Sequence, residues 1–273
     1  MIWPKQTKRS RIRLAVGKSV YTKLRYLRWL RWRKRFAREF ADVQTFPVIV
    51  FEHRTPLLRR LKDVDMKLQY NKIINLRLAS EKLNGLLLRP GQLFSYWRAI
   101  GRPTQAKGYA EGMVLEHGRY KAGIGGGLCQ LSNLLYWMVL HTPLTVVERW
   151  RHSYDVFPDA NRTQPFGSGA TCFYNYIDLM FQNDTEWTWC LEIELDDTHL
   201  IGRWRADRPV PYRYEIVEKE HQFIPNPFGG YIRYNQIYRN VYEGERFVRE
   251  ELVTENQAIM MYEPLLGDAQ TED

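Results

Sequence analysis

Cysteine is scarce. Three residues, Cys129, Cys172 and Cys190, in a chain of 273 are too few and too unevenly spaced for a disulfide framework. No Cys-x-x-Cys pair occurs, which argues against a structural zinc site. The thiol inventory reads as that of a reduced, intracellular protein. Long apolar runs are also missing. None reaches the ~18 residues that a membrane span needs. The basic start, Met1 to Arg9, is followed by no uninterrupted apolar core of a secretory signal. Glycine (18) and proline (13) are scattered, so collagen-like and low-complexity classes are excluded. Aromatic residues make up 14% and hydrophobic residues 44%, which excludes disorder for most of the chain. The length suits one sizeable core, or one core with a small appendage.

Acidic residues are almost absent from the first 40 positions. That segment holds 14 Lys or Arg and one acid, Glu39, a balance of about +13. The remainder holds 26 bases and 30 acids, so the overall charge of +9 belongs to the arm and not to the body. From Ser19 to Phe40 the pattern is helical: Trp29, Trp32, Phe36 and Phe40 recur with Arg28, Arg31, Arg35 and Arg38 between them. Three readings stand open. A basic aromatic helix can lie in an anionic membrane interface through residues 5–40. It can pack its aromatic stripe on the protein's own body. It can bind nucleic acid, although no RRM, KH or zinc-finger signature supports that, and no nucleic acid is expected.

Further along, Phe46 to Phe51 reads as a strand and residues 65–87 as a helix stopped by Asn84-Gly85. Residues 101–122 read as loop-rich. Gly123 to Gln130 is a glycine loop that runs into a helix ending near His141, before Pro143. Leu144 to Glu148, Ala170 to Gln182, Trp187 to Glu194 and Thr198 to Arg205 read as strands. The tail from Tyr212 is rich in strand patterns. There are no internal repeats. The expected fold is α+β: a mainly antiparallel sheet, a packed helix after the Gly-rich loop, a basic helical arm (1–44), a central domain (45–206) and a small β-rich C-terminal appendage (207–273).

Cys129 is the candidate for chemistry. It sits at a helix start after Gly125, Gly126 and Gly127. Unpaired amides and the positive end of the helix dipole there favour a thiolate and can line an oxyanion hole. Glycine permits positive φ and a close backbone approach. His152 follows after a strand and is the candidate base. Asp178 is the candidate orienter of its ring, with Asp155 and Glu148 as competitors. The same residues also suit a tight loop over a small buried Cys, which is a common fate of that residue. The loop lacks the Gly-Lys-Ser/Thr ending of a P-loop, with Gln130 and Ser132 in its place. Cys129 with His152 lacks the third ligand of a catalytic zinc, so neither a metal nor a cofactor is expected.

Gly125-Gly126-Gly127-Leu128-Cys129-Gln130-Leu131-Ser132, then Glu148-Arg149 and His152, then Asp178 with Phe181-Gln182-Asn183, resemble the VanW family. Arg89 to Ser95 matches that family's upstream segment, and Ile201-Gly202 its closing one. The resemblance spans about 45 to 206, and the basic start and β-rich tail look like its stand-alone, vancomycin-resistance-associated form. It implies an accessory role in glycopeptide resistance. Secreted members have been linked to L,D-transpeptidation of peptidoglycan with the motif cysteine as nucleophile. Carried over, Cys129 becomes the acyl acceptor and His152 its base. Gly125, Gly126, Gly127, Gln130, Ser132 and Arg149 would border the substrate, a peptidoglycan stem peptide or muramyl-peptide precursor. An arginine, Arg149 or Arg151, would hold a stem carboxylate. One departure matters. Wall transpeptidation is extracellular, and no signal peptide is seen. The expectation is therefore a cytoplasmic protein, peripheral on the inner membrane face, that acts on precursors or binds them without chemistry.

Overall fold

The computed structural model describes residues 10–58, 65–116, 119–156 and 164–262. The first residues of the basic arm, 1–9, and the end of the tail, 263–273, lie outside the described residues. In chain order the elements are α1 (Arg11–Arg31), β1 (Val48–Pro56), α2 (Met66–Ser80), β2 (Leu86–Leu88), β3 (Leu93–Ser95), α3 (Tyr96–Ile100), β4 (Glu111–Glu116) and β5 (Arg119–Ile124). They continue with α4 (Cys129–Leu140), β6 (Thr145–Glu148), β7 (Tyr154–Asp155), β8 (Met180–Gln182), β9 (Trp189–Leu195), β10 (His199–Ala206), β11 (Tyr212–Pro225), β12 (Tyr231–Glu243) and β13 (Arg246–Met260). The expected α+β class is what the chain adopts; among the described residues the named strands pair antiparallel except β13 with β7, and an isolated parallel bridge joins Phe36 to Leu93.

Helix α4 is apolar nearly all round, and a helix of that kind has to be buried. Leu131, Leu134, Leu135, Met138 and Val139 are sealed in the core. The helix lies against β1 and β10, in the sheet ordered β1-β10-β9-β2. Gly202 on β10 faces Met138 and Leu134, and a Cβ there would run into both. The missing side chain lets helix and sheet approach closely. Strands β3, β8 and β6 form a second sheet, with β8 in the middle.

Several expectations are corrected. Residues 101–122 do not form a plain loop: Glu111–Glu116 and Arg119–Ile124 pair as a hairpin. Gly112 and Gly123 break the apolar alternation that would have marked it. The strand expected over Ala170 to Gln182 shrinks to Met180–Gln182, because the preceding residues fold back through a Phe173–Ile177 bridge. The arm helix ends at Arg31, not Phe40. Trp29 and Phe36 are buried in the main core, with Trp32 packed beside them. The Arg98 guanidinium lies 4.6 Å over the Phe36 ring. Most of the aromatic stripe is thus satisfied by the body, and of its members Phe40 alone is exposed. The β-rich tail is a meander of three long strands, β11, β12 and β13, and β13 pairs in parallel with β7.

The glycine loop is held by backbone contact. Gly126 lies directly on Gly112 of β4, so a Cβ on either would overlap the other's main chain. Asn75 on α2 clamps the pair. Its amide donates to Ala110 O (3.0 Å) and Gly126 O (2.9 Å), and its Oδ1 accepts from Ala110 N (2.8 Å). Gly126→Ala is expected to destabilise the fold by about 1–3 kcal/mol or more, as overpacking against rigid backbone does. Urea unfolding measures it; an unchanged midpoint would mean that the loop and β4 are not in contact.

Candidate functional site

Cys129 is the first residue of α4 and is half-buried, whereas Cys172 and Cys190 are buried. The turn before it requires glycine at two places, with φ +75° at Gly125 and +89° at Gly127. The side chain of Lys72 fills the space where a Gly127 Cβ would stand. The glycines therefore serve close packing against β4 and α2. The amides of Gln130 and Leu131 bond to Gly127 O and Leu128 O. Among the described residues, the amides of Leu128 and Cys129 donate to no protein acceptor. Those two N–H groups are the ones at the helix start that can meet a developing oxyanion.

Burial pushes the Cys129 thiol up, and the backbone amide of Cys172 offsets this only in part. In the free chain the group is therefore a thiol at neutral pH. His152 is half-buried, and burial lowers its pKa, which keeps the imidazole neutral and able to accept a proton. Among the described residues it makes no hydrogen bond to Cys129, Asp178, Asp155 or Glu148. Its position is fixed from the tail. Ile259 N donates to Ser153 O, β7 pairs with β13, and Arg151 Nη1 donates to Gln257 O.

The three carboxylates considered as orienters have other partners. Asp178 is fully buried. It accepts from Ser95 Oγ (2.5 Å) and from the amides of Trp97 and Leu179 (both 3.0 Å), with Arg25 Nη1 at 4.0 Å. It ties β3 and α3 to the entry of β8. Burial raises its carboxyl to about 7, against the downward pull of those hydrogen bonds and of Arg25. Glu148 would also be raised by burial, but hydrogen bonds from Arg25 and Trp150 outweigh this and hold it below the usual carboxylate range. Asp155 accepts from Arg233 (3.2 Å) and from Tyr262 Oη (2.8 Å).

The residues expected to border substrate are engaged as well. Gln130 Nε2 donates to Thr55 Oγ1 and Pro56 O, tying α4 to β1. Ser132 Oγ is buried and donates to Ala170 O (2.7 Å) and Cys129 O (3.1 Å). Arg149 donates to the carbonyls of Gly169 and Gly167, and its guanidinium lies 4.8 Å over the Tyr136 ring. Sequence reading passed over Tyr96, Asn133 and Asn75. Tyr96 Oη donates to Leu128 O (2.8 Å), directly beneath the cysteine's peptide. Asn133 Oδ1 accepts from Ala170 N (2.8 Å). Polar residues inside apolar stretches were their one signal. Among the described residues, no group of His, Cys, Asp and Glu could hold a metal.

The VanW like protein family matches residues 71–205, which carry α4, His152 and Asp178. The Vancomycin B-type resistance protein VanW of Enterococcus faecalis (strain ATCC 700802 / V583) is 37% identical over 196 residues, 72% of this chain and 71% of that protein. The chain belongs to the VanW family. The Uncharacterized protein YoaR of Bacillus subtilis (strain 168) is 30% identical over 109 residues, 40% of this chain and 34% of YoaR. No solved structure matches the chain.

Two outcomes are expected of this VanW-family site. The Cys129 alkylation rate in the free chain should rise with pH to a midpoint above the ordinary ~8.5 of a thiol, as followed by iodoacetamide labelling and peptide mass spectrometry. A midpoint below that value would show that burial does not govern the thiol. For Asp178, a raised pKa in the fold means stability that is present near pH 4 and is lost as pH rises through about 7. Measured against Asp178→Asn, whose amide does not titrate, the melting temperature of the parent chain should fall between pH 5 and pH 8. A relative gain over that range would show that Arg25 governs the carboxylate instead.

Proposed function

We propose that the chain acts in glycopeptide resistance at the cell wall, with Cys129 as acyl-transfer nucleophile toward peptidoglycan stem peptides or their precursors. The observation that carries this is the placement of Cys129. It is the one partly accessible cysteine and the first residue of a helix, with unpaired amides beside it. The resistance protein to which the chain is similar supplies the setting. Substrate binding would bring the neutral His152 imidazole within reach of the sulfur. His152 then takes the Sγ proton as Sγ bonds to the scissile carbonyl carbon. The C–N bond breaks, the departing amine takes the proton from His152, and a thioester remains on Cys129. An acceptor amine, or water, reverses these steps and frees the thiol. No cofactor enters the scheme.

A second reading has its own support. The raised thiol and the internal engagement of Gln130, Ser132 and Arg149 suit a protein that binds precursors without chemistry. Mass spectrometry of muropeptides and cytoplasmic precursors separates the two. Cells expressing the parent chain should accumulate products shortened by a terminal D-residue or exchanged at that position. Cys129→Ala should abolish them, and His152→Ala should reduce them by about 10²-fold or more. Identical profiles for the parent chain and Cys129→Ala, with both chains folded, would leave the binding reading.

A further inference from the structure

Helix α1 has two distinct faces. One is bound to the body: Arg25 is buried and pairs with Glu148, Arg28 pairs with Glu148 at 3.0 Å, and Trp29 enters the core. The other faces away from it and is apolar. Ile12, Val16, Val20, Leu24, Leu27 and Leu30 are spaced by four, four, four, three and three residues, and share about one third of the helix circumference. Every one is exposed, from 48% at Val20 to 78% at Ile12. This aliphatic row is distinct from the aromatic one that the core absorbs. Arg13, Lys23 and Arg31 stand on the same side, also exposed, and α1 contains no acidic residue.

We propose that this face of α1 docks in the plane of an anionic lipid bilayer surface. Charge complementarity chooses the occupant. A row of aliphatic side chains with interspersed cations and no anion suits a surface that is apolar beneath a negative headgroup layer. Long Lys and Arg stems lie along apolar surroundings while their charged ends reach outward to headgroups. The ion pairs to Glu148 hold the opposite face on the body, so the row is presented outward along a helix about 30 Å long. Among the described residues no helix is long and apolar enough to cross a membrane, so this contact is in-plane. The proposal stands whether or not Cys129 is a nucleophile.

Co-sedimentation of the full chain with vesicles tests it. Binding is expected to phosphatidylcholine vesicles that contain phosphatidylglycerol, with much weaker binding to phosphatidylcholine alone and a decline as NaCl is raised. The double variant Leu24→Glu/Leu27→Glu should lose affinity by about tenfold or more. Lys23→Glu and Arg31→Glu should each lose roughly fivefold or more on anionic vesicles. All these positions are exposed, and circular dichroism confirms that each variant is folded. Equal binding to neutral and anionic vesicles, or parent-like binding by the double leucine variant, overturns the proposal. So does a dimer of the parent chain in sedimentation that the leucine variant abolishes, since a second copy would then occupy the row.

Discussion

Two peptide backbones in contact, Gly126 on Gly112, set the position of everything at the start of α4. No side chain can stand between them, so the loop before Cys129 and the β4–β5 hairpin have to be a single packed unit. Asn75 completes the junction by satisfying Ala110 N, Ala110 O and Gly126 O from within α2. Buried main-chain groups without partners are costly, and Asn75, buried on α2 beside Leu76 and Ala79, supplies partners for three of them. With Gly202 beneath α4, the same device appears twice: an absent side chain lets a helix or loop seat closely, and the cysteine follows as a geometric consequence.

Buried charge joins the outer parts of the chain to this centre. Arg25 of α1 reaches Glu148 at the end of β6 and comes within 4.0 Å of Asp178, which itself ties β3 and α3 to β8. A buried arginine with two carboxylates nearby is stable only as a hydrogen-bonded group. Here Tyr176 O and Met180 Sδ take further donors of the guanidinium. Arg233 does the corresponding work in the tail with Asp155. These two ionic ties hold the arm and the meander on either side of the segment that carries His152, so both chain ends help shape the region where sequence motifs place the chemistry.

Much of this was legible from periodicity and motif. Helix α4 was readable because nine of its twelve residues are buried and it starts on glycines and stops before Pro143. Its sheet was readable because β9 and β10 alternate or run apolar between turn residues. The hairpin at 111–124 was hidden by the glycines that its contact with the loop requires. The arm's helix was legible, but whether its aromatic row packs on the body or meets a membrane stayed open in the sequence. Composition alone cannot tell which of two apolar rows finds a partner. The hydrogen bonds of Asp178 and Arg149 could not be read the same way: motif spacing names residue types near a site, while these partners come from segments 20 to 105 residues away.

Local chemistry settled from the outset that a cysteine would stand where flexible backbone becomes helix, and that the arm would be cationic. Those are properties of neighbouring residues and need no tertiary contact. Only the assembled chain decided that the thiol is pushed up, because its burial comes with tertiary packing. Only the assembled chain turned the aromatic row inward and the aliphatic row outward, because Arg25 and Arg28 pair with Glu148 and Trp29 enters the core on that side of α1.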